Sequence, residues 1–140
     1  MYYDSLYKNI IMDKAYTSLK FIFYLSLLLL IVVSLFPGSI LGALFYGDIN
    51  KIPTTEFSVE TTLNHLLSYI YISLLGFFIY LNTNKFKTLV SFIFFLAFIL
   101  EFLQIVIPNR SFEIYDLFAN LIGVLIGYLI IHAYKFWRKK

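Results

Sequence analysis

A small set of hydrophilic side chains lies inside or directly beside long apolar stretches of this chain. The set comprises His65, Glu101, Gln104, Arg110, Asp116 and Asn120. An ionisable group at the centre of a membrane helix costs about 2.5–3.5 kcal/mol on insertion scales and usually marks function or an internal partner. His65 and Glu101 are the candidate catalytic acid–base groups, since imidazole and carboxyl groups commonly carry protons in catalysis. The guanidinium of Arg110 matches a phosphate or carboxylate with two parallel hydrogen bonds.

The spacing of these residues predicts that they converge. Glu101 and Gln104 are three residues apart, and Asp116 and Asn120 are four apart, so each pair shares one face of a helix. Glu101 lies about six residues, or roughly 9 Å, below the end of its apolar segment. The other members of the set lie at a similar depth. We therefore predict one polar site, in which Arg110, Gln104, Asp116 and Asn120 bind or orient a ligand.

The second apolar segment supplies a matching stripe. His65 is followed at helical spacing by Tyr69, Ser73 and Gly76, which places them on one face. Tyr69 is therefore a further candidate ligand-binding residue. On the fourth segment, Gly123 and Gly127 continue the face of Asp116 and Asn120, and small residues four apart let another helix approach closely. These two glycines are predicted to serve helix packing.

Four apolar segments must position these side chains. A bilayer core about 30 Å thick takes roughly 20 helical residues, which predicts membrane spans at about 21–36, 63–81, 88–107 and 116–134. The composition, 61% hydrophobic and 14% charged, lies far from the soluble average of about 25% charged residues. The predicted fold is an all-α integral membrane bundle of four transmembrane helices with antiparallel neighbours. Residues 1–140 form a single domain, in which 1–20 is an interfacial segment.

The connections follow from breakers and polar residues. Pro37 and Gly38 are predicted to break or kink the first helix, after which Ser39–Tyr46 continues it or enters the interface. Gly47–Thr61 is predicted to be a loop.

The charges predict the topology. With both termini in the cytoplasm, the cytoplasmic segments hold nine of the eleven basic residues, and the external loops hold only Lys51 and Arg110. Basic residues are retained on the cytoplasmic side of a membrane. We therefore predict a multi-pass protein of the inner (cytoplasmic) membrane whose polar site faces the outer leaflet.

Several residues also have simpler interpretations. Glu101 and Arg110 are a possible structural pair that ties the third and fourth spans together. Asp116 suits the N-terminal cap of the fourth helix, and His65 alone would more often be an interfacial histidine. One histidine and two carboxylates suit zinc or manganese, but His65, Glu101 and Asp116 show no recognised ligand spacing, so no metal and no cofactor are predicted. The basic residues lie at membrane edges, which argues against nucleic-acid binding.

The residues from Glu101 to Gly127 resemble the VanZ-like membrane proteins. The pattern of that family reads Glu-x-x-Gln, then Pro-x-Arg, Asp-x-x-x-Asn and glycines at helical spacing, and this chain matches it through Glu101, Gln104, Pro108, Arg110, Asp116, Asn120, Gly123 and Gly127. The segments Asn64–Tyr69 and Ser34–Pro37 are similar to its His-x-x-x-Tyr and Ser-Leu-x-Pro segments. One departure is that Thr61 and Thr62 stand where the family often has Asp-Lys.

The resemblance implies a small bacterial membrane protein, and the name-giving member of the family is associated with resistance to the glycopeptide teicoplanin. We expect a site that binds or modifies an anionic envelope lipid, glycolipid or cell-wall precursor. The partners would be membrane lipids and a lipid-linked or glycolipid substrate, with an oligomer possible. The alternative is a non-catalytic scaffold or partner-binding protein whose polar cluster only holds the helices together. A transporter is less favoured, because no polar stripe reaches the inner face.

Overall fold

The computed structural model describes residues 2–38, 47–48 and 59–138, which are helical apart from short connections and contain no strand. Four α-helices follow one another along the chain: α1 (Tyr2–Leu35), α2 (Val59–Tyr80), α3 (Phe86–Leu103) and α4 (Ile114–Trp137). A short 3-10 helix, Gln104–Val106, extends α3. All four helices are long and apolar enough to cross a membrane. The predicted all-α fold with four spanning helices is therefore confirmed.

The first helix differs from the prediction at its start. It runs without interruption from Tyr2 to Leu35, so the segment predicted to be interfacial and the first span share one helix. The helix ends at Leu35, two residues before Pro37, since the residue preceding a proline disfavours the α conformation. The predictions for Ser39–Tyr46 and for most of the loop 47–61 lie outside the described residues.

Helix α2 is the centre of the described bundle. It contacts each of the other three helices, and its most extensive contact is with α4. Glycines explain this proximity, because a Cβ atom on Gly123 would lie 2.7 Å from the carbonyl oxygen of Leu66. A Cβ atom on Gly127 would lie 2.6 Å from the Cβ atom of Ser73. The two backbones therefore approach closely along the stretch that carries the polar residues.

Helix α1 packs on α2 at both ends of the bundle. At the end near the start of α1, the Tyr24 hydroxyl lies 2.6 Å from the Tyr80 hydroxyl, and the Tyr16 hydroxyl donates to the carbonyl of Ile79 at 3.1 Å. Phe23 is fully buried in the apolar core between these ends. The opposite end of α1 meets the polar residues, and these contacts position the candidate site.

Candidate functional site

Glu101 occupies the last turn of α3 and is almost fully buried, with 1% of its surface exposed. Its Oε1 atom accepts a hydrogen bond of 3.2 Å from the backbone N–H of Glu113, the residue before α4. Its Oε2 atom accepts one of 3.2 Å from Nδ2 of Asn120. A buried carboxylate needs such donors, because an unpaired charge is costly in an apolar interior. Glu101 therefore fastens the end of α3 to the start of α4.

Asn120 links Glu101 to α2 through hydrogen bonds. Its amide nitrogen donates to Glu101, so its Oδ1 atom is the acceptor for His65 Nδ1, 3.1 Å away, and the imidazole donates. The second ring nitrogen, Nε2, lies 3.6 Å from Oδ2 of Asp116.

Thr62 closes the network at its other end. Its hydroxyl donates to Oδ1 of Asp116 at 2.5 Å. Asp116 is the third residue of α4, and the N-cap is Glu113, so the carboxylate does not cap the helix as the simpler interpretation held. Its place in the first turn still suits the positive end of the helix dipole. We call the five connected side chains of Thr62, His65, Glu101, Asp116 and Asn120 the polar network.

Arg110 forms hydrogen bonds with carbonyls of α1 and not with Glu101. Its Nε donates to the carbonyl of Phe36 at 3.2 Å, and its Nη2 donates to the carbonyl of Val33 at 3.1 Å. In a continuing helix the carbonyl of Val33 would accept from residue 37, which is a proline and has no N–H. The guanidinium therefore supplies the donor that Pro37 lacks. These bonds do not use Nη1.

A cavity of about 120 Å³ opens beside Arg110, between α1, α2 and the 3-10 helix. We call it the Arg110 cavity. Its lining consists of Leu30, Val33, Ser34, Asn64, His65, Ser68, Tyr69, Gln104 and Arg110. The hydroxyl of Tyr69 is buried, with 1% of the residue exposed, and has no hydrogen-bond partner among the described residues. A buried hydroxyl without a partner is rare in native proteins and calls for an explanation.

The electrostatics of the cavity depend on Arg110, which lies between the membrane-spanning segments. Burial lowers the pKa of Arg110 from its ordinary value, and the negative charge of Glu101 opposes this change. A guanidinium remains charged at any physiological pH. The cavity therefore contains one permanent positive charge.

The structure brings all the sequence-predicted side chains to one end of the bundle, but it divides them into two groups. His65, Tyr69, Gln104 and Arg110 line the cavity, whereas Asn120 bonds to both Glu101 and His65, and Asp116 lies beside His65. The proposed Glu101–Arg110 pair is replaced by the bonds just described. Among the described residues, no three metal-binding side chains lie where they could hold an ion.

Sequence reasoning missed the role of Thr62. Thr62 lies three residues before His65, and residues three apart share one face of a helix, so this proximity could have been predicted. The family often has a lysine at this position, and such a lysine would face the carboxylate that Thr62 binds here. The carbonyl partners of Arg110 were also missed, although Pro37 indicates that one carbonyl of α1 lacks its usual donor.

Comparison with known protein families gives a match to VanZ/LLP1 over residues 21–137, which include all four membrane-compatible helices in whole or in large part. Comparisons with curated proteins and with solved structures give no match. The matched region contains every residue of the polar network and of the Arg110 cavity. The chain, a multi-pass helical membrane protein, therefore belongs to the VanZ/LLP1 family.

Proposed function

We propose that the Arg110 cavity binds the anionic headgroup of an envelope lipid, glycolipid or lipid-linked cell-wall precursor at the outer leaflet of the inner membrane. The observation that carries this proposal is that Tyr69, whose buried hydroxyl has no hydrogen-bond partner among the described residues, lines the same cavity as Arg110. A bound phosphate or carboxylate would accept from this hydroxyl and from the Nη1 atom of Arg110. The ligand would thereby satisfy the group that the protein leaves unsatisfied.

The size of the cavity supports a headgroup as the occupant. A volume of about 120 Å³ equals that of roughly four water molecules in the liquid. This is enough for one phosphate or carboxylate group. Leu30 and Val33 form an apolar wall of the cavity on α1, along which the rest of an amphiphile would continue into the membrane.

His65 is the one residue that we assign a role in proton transfer, in addition to the binding of the ligand. The ring of His65 lines the cavity and would reach a ligand there. Glu101 is enclosed by Asn120 and the backbone of Glu113, so we assign it to positioning rather than to acid–base chemistry. Any modification of the ligand would therefore depend on His65.

The decisive variants differ by one hydroxyl. Tyr69→Phe removes the unpartnered hydroxyl from the cavity, and Ser73→Ala removes a second buried, unpartnered hydroxyl one turn along α2 that does not line it. We expect both variants to fold, since an unsatisfied buried group costs about 1–3 kcal/mol. In nanodiscs, binding of phosphatidylglycerol and of soluble phosphate should weaken in Tyr69→Phe and remain in Ser73→Ala. Equal binding in both variants would contradict the proposal.

The outer-leaflet orientation is supported by the distribution of basic residues and has its own test. The chain has no cysteine, so single cysteines report one position each. In intact cells, a membrane-impermeant maleimide should label Ser111→Cys, in the connection between α3 and α4. Asn84→Cys, at the other end of α3, should react only after permeabilisation. The reverse pattern would place the cavity at the cytoplasmic face.

A link to glycopeptide resistance belongs to the same proposal. A protein that holds an anionic precursor at the outer leaflet would change the access of teicoplanin to its target. Expression of the wild-type chain in a susceptible bacterium should then raise the teicoplanin concentration needed to stop growth, and Tyr69→Phe should not. Equal protection by both chains would separate the resistance from the cavity.

A second candidate function, a non-catalytic scaffold, is supported by the polar network. Its side chains bond mainly to one another and join α2, α3 and α4 without a ligand. Under this hypothesis the whole polar end serves only to hold the helices together. Tyr69→Phe would then increase thermal stability and leave every function of the protein unchanged.

A further inference from the structure

A second and larger cavity lies on another face of α2, between α2 and α4. Its volume is about 490 Å³, within the range of about 300–1,000 Å³ that is usual for small-molecule sites. The lining is mostly apolar, with polar residues at one end only. It includes Thr62, Leu63 and Leu66 of α2, and Glu113, Phe118 and Ile122 at the start of α4 or within it. We call it the α2–α4 groove.

The groove has the shape and polarity of an amphiphile. It extends from Glu113, directly before α4, to Ile122, eight residues into the helix after Ile114, a length of about 12 Å along the axis. Glu113 lies just outside the membrane-compatible part of the chain, and Leu66 and Ile122 lie within it. One end of the groove is therefore charged and the other is suited to hydrocarbon.

The described residues at the polar end of the groove carry negative charge. Glu113 is exposed, and it contacts Glu101 through its backbone N–H, so its carboxylate is not used in that contact. The hydroxyl of Thr62 donates to Asp116, which is itself acidic. Arg110, the cation of the same connection, is directed towards the carbonyls of α1. A headgroup with only negative charge would thus be repelled here, whereas the ammonium group of a zwitterionic headgroup would be attracted.

We infer that the α2–α4 groove binds a membrane lipid with a primary-ammonium headgroup, with the ammonium at Glu113 and an acyl chain along Leu66 and Ile122. The acyl chain of the lipid gives little selectivity, because all lipid tails are as apolar as the groove. The headgroup therefore determines which lipid is retained. This site is independent of the Arg110 cavity, which has the opposite charge and lines another face of α2.

The acyl-chain part of the inference is tested with two matched variants. Ile122 lines the groove and Ile130 lines neither cavity, and the two residues are 47% and 48% exposed on the same helix. The probe is a phosphatidylethanolamine that carries a photoactivatable acyl chain, in nanodiscs of phosphatidylethanolamine and phosphatidylglycerol with identical chains. Ile122→Trp should fill the groove and reduce labelling of Leu63 and Leu66 peptides several-fold. Ile130→Trp should leave that labelling unchanged, and an equal reduction in both variants would overturn the inference.

The headgroup part is tested by competition. A partly exposed carboxylate–ammonium pair contributes about 0.4–1 kcal/mol, so the wild type should prefer the ethanolamine probe over a glycerol probe by roughly two- to fivefold. Glu113→Gln should abolish this preference, since the backbone bond to Glu101 is retained. Equal labelling by both headgroups in the wild type, or cross-links between two copies of the chain in place of lipid, would overturn the inference. Tyr69→Phe should not affect groove labelling, which separates this result from the test of the Arg110 cavity.

Discussion

The polar network and the Arg110 cavity lie at the same end of the bundle and share His65, but they differ in how completely their polar groups are satisfied. In the network, both oxygens of Glu101 and both of Asp116 have a polar neighbour within 3.6 Å. In the cavity, the Tyr69 hydroxyl has no partner among the described residues. Proteins seldom leave a buried polar group unpaired without a reason.

This difference separates a structural role from a binding role. Side chains that already satisfy one another lose their bonds when a ligand arrives, so a ligand gains little from them. Tyr69, whose hydroxyl has no partner among the described residues, would gain a bond. Under the proposed function, Glu101, Asp116 and Asn120 would therefore position the site, and Tyr69 and Arg110 would contact the ligand.

The largest expected effect comes from Gly123→Val, which would break both regions together. The added Cβ atom would lie 2.7 Å from the backbone oxygen of Leu66, and a backbone atom cannot be displaced cheaply. We expect a loss of about 3 kcal/mol of folding stability, because overpacking in a close contact typically costs 1–3 kcal/mol or more. Thermal unfolding in detergent measures it. Ala133→Val, on the exposed side of α4, is the control and should change the stability little.

Removal of Glu101 should damage the network while sparing the cavity lining. Glu101→Ala leaves the N–H of Glu113 and the amide of Asn120 without an acceptor. An unpaired buried donor costs about 1–3 kcal/mol, and because the N–H of Glu113 is only partly buried we expect a total loss of about 2 kcal/mol. We expect a lower unfolding temperature, and near-normal phosphate affinity in the fraction that remains folded. A folded, stable Glu101→Ala protein that no longer binds phosphate would instead indicate that Glu101 contacts the ligand.

Much of the fold could be predicted because membrane spans are encoded in local hydropathy. The predicted spans 63–81, 88–107 and 116–134 agree to within about four residues with the helices Val59–Tyr80, Phe86–Leu103 with its 3-10 extension to Val106, and Ile114–Trp137. The continuation of the first helix back to Tyr2 was not predicted, since Lys8, Lys14 and Lys20 interrupt the apolar sequence before Phe21.

The convergence of the polar side chains could also be predicted, because helical spacing and depth are both readable from a sequence. Their pairing could not. A pair of Arg110 with Glu101 was one interpretation of the sequence, but the partners of Arg110 are the carbonyls of Val33 and Phe36. Only the carbonyl of Val33 is indicated in the sequence, through the missing N–H of Pro37. Glu101 likewise binds an amide and a backbone N–H instead of the nearest cation. Small differences in the separation of the helices decide which of several neighbours a polar group bonds to, and these differences cannot be read from the sequence.

The link between Arg110 and Pro37 gives a smaller effect and a sharper test. Arg110→Lys loses the planar fork and can satisfy only one of the two carbonyls well, which should cost about 1–2 kcal/mol. Pro37→Ala restores an N–H group that can donate to Val33, so the lysine variant should lose less stability in that background. A double-mutant cycle should give a coupling energy of about 1 kcal/mol. Additive effects would show that Arg110 does not replace the missing donor of Pro37.

The smallest expected effect comes from Thr62, which lies at one end of the polar network. Thr62→Val has nearly the same shape as threonine and removes only the donor to Asp116, whose other oxygen keeps His65. Hydrogen bonds between membrane helices contribute about 0.6 kcal/mol on average, and we expect a loss of that order in thermal unfolding. Thr62→Lys, the residue that the family often has here, should recover this loss because its ammonium would pair with Asp116. If the lysine variant is less stable than the valine variant, Asp116 does not accept a cation from α2, and the threonine of this chain is then a necessary adaptation of its network instead of a tolerated replacement.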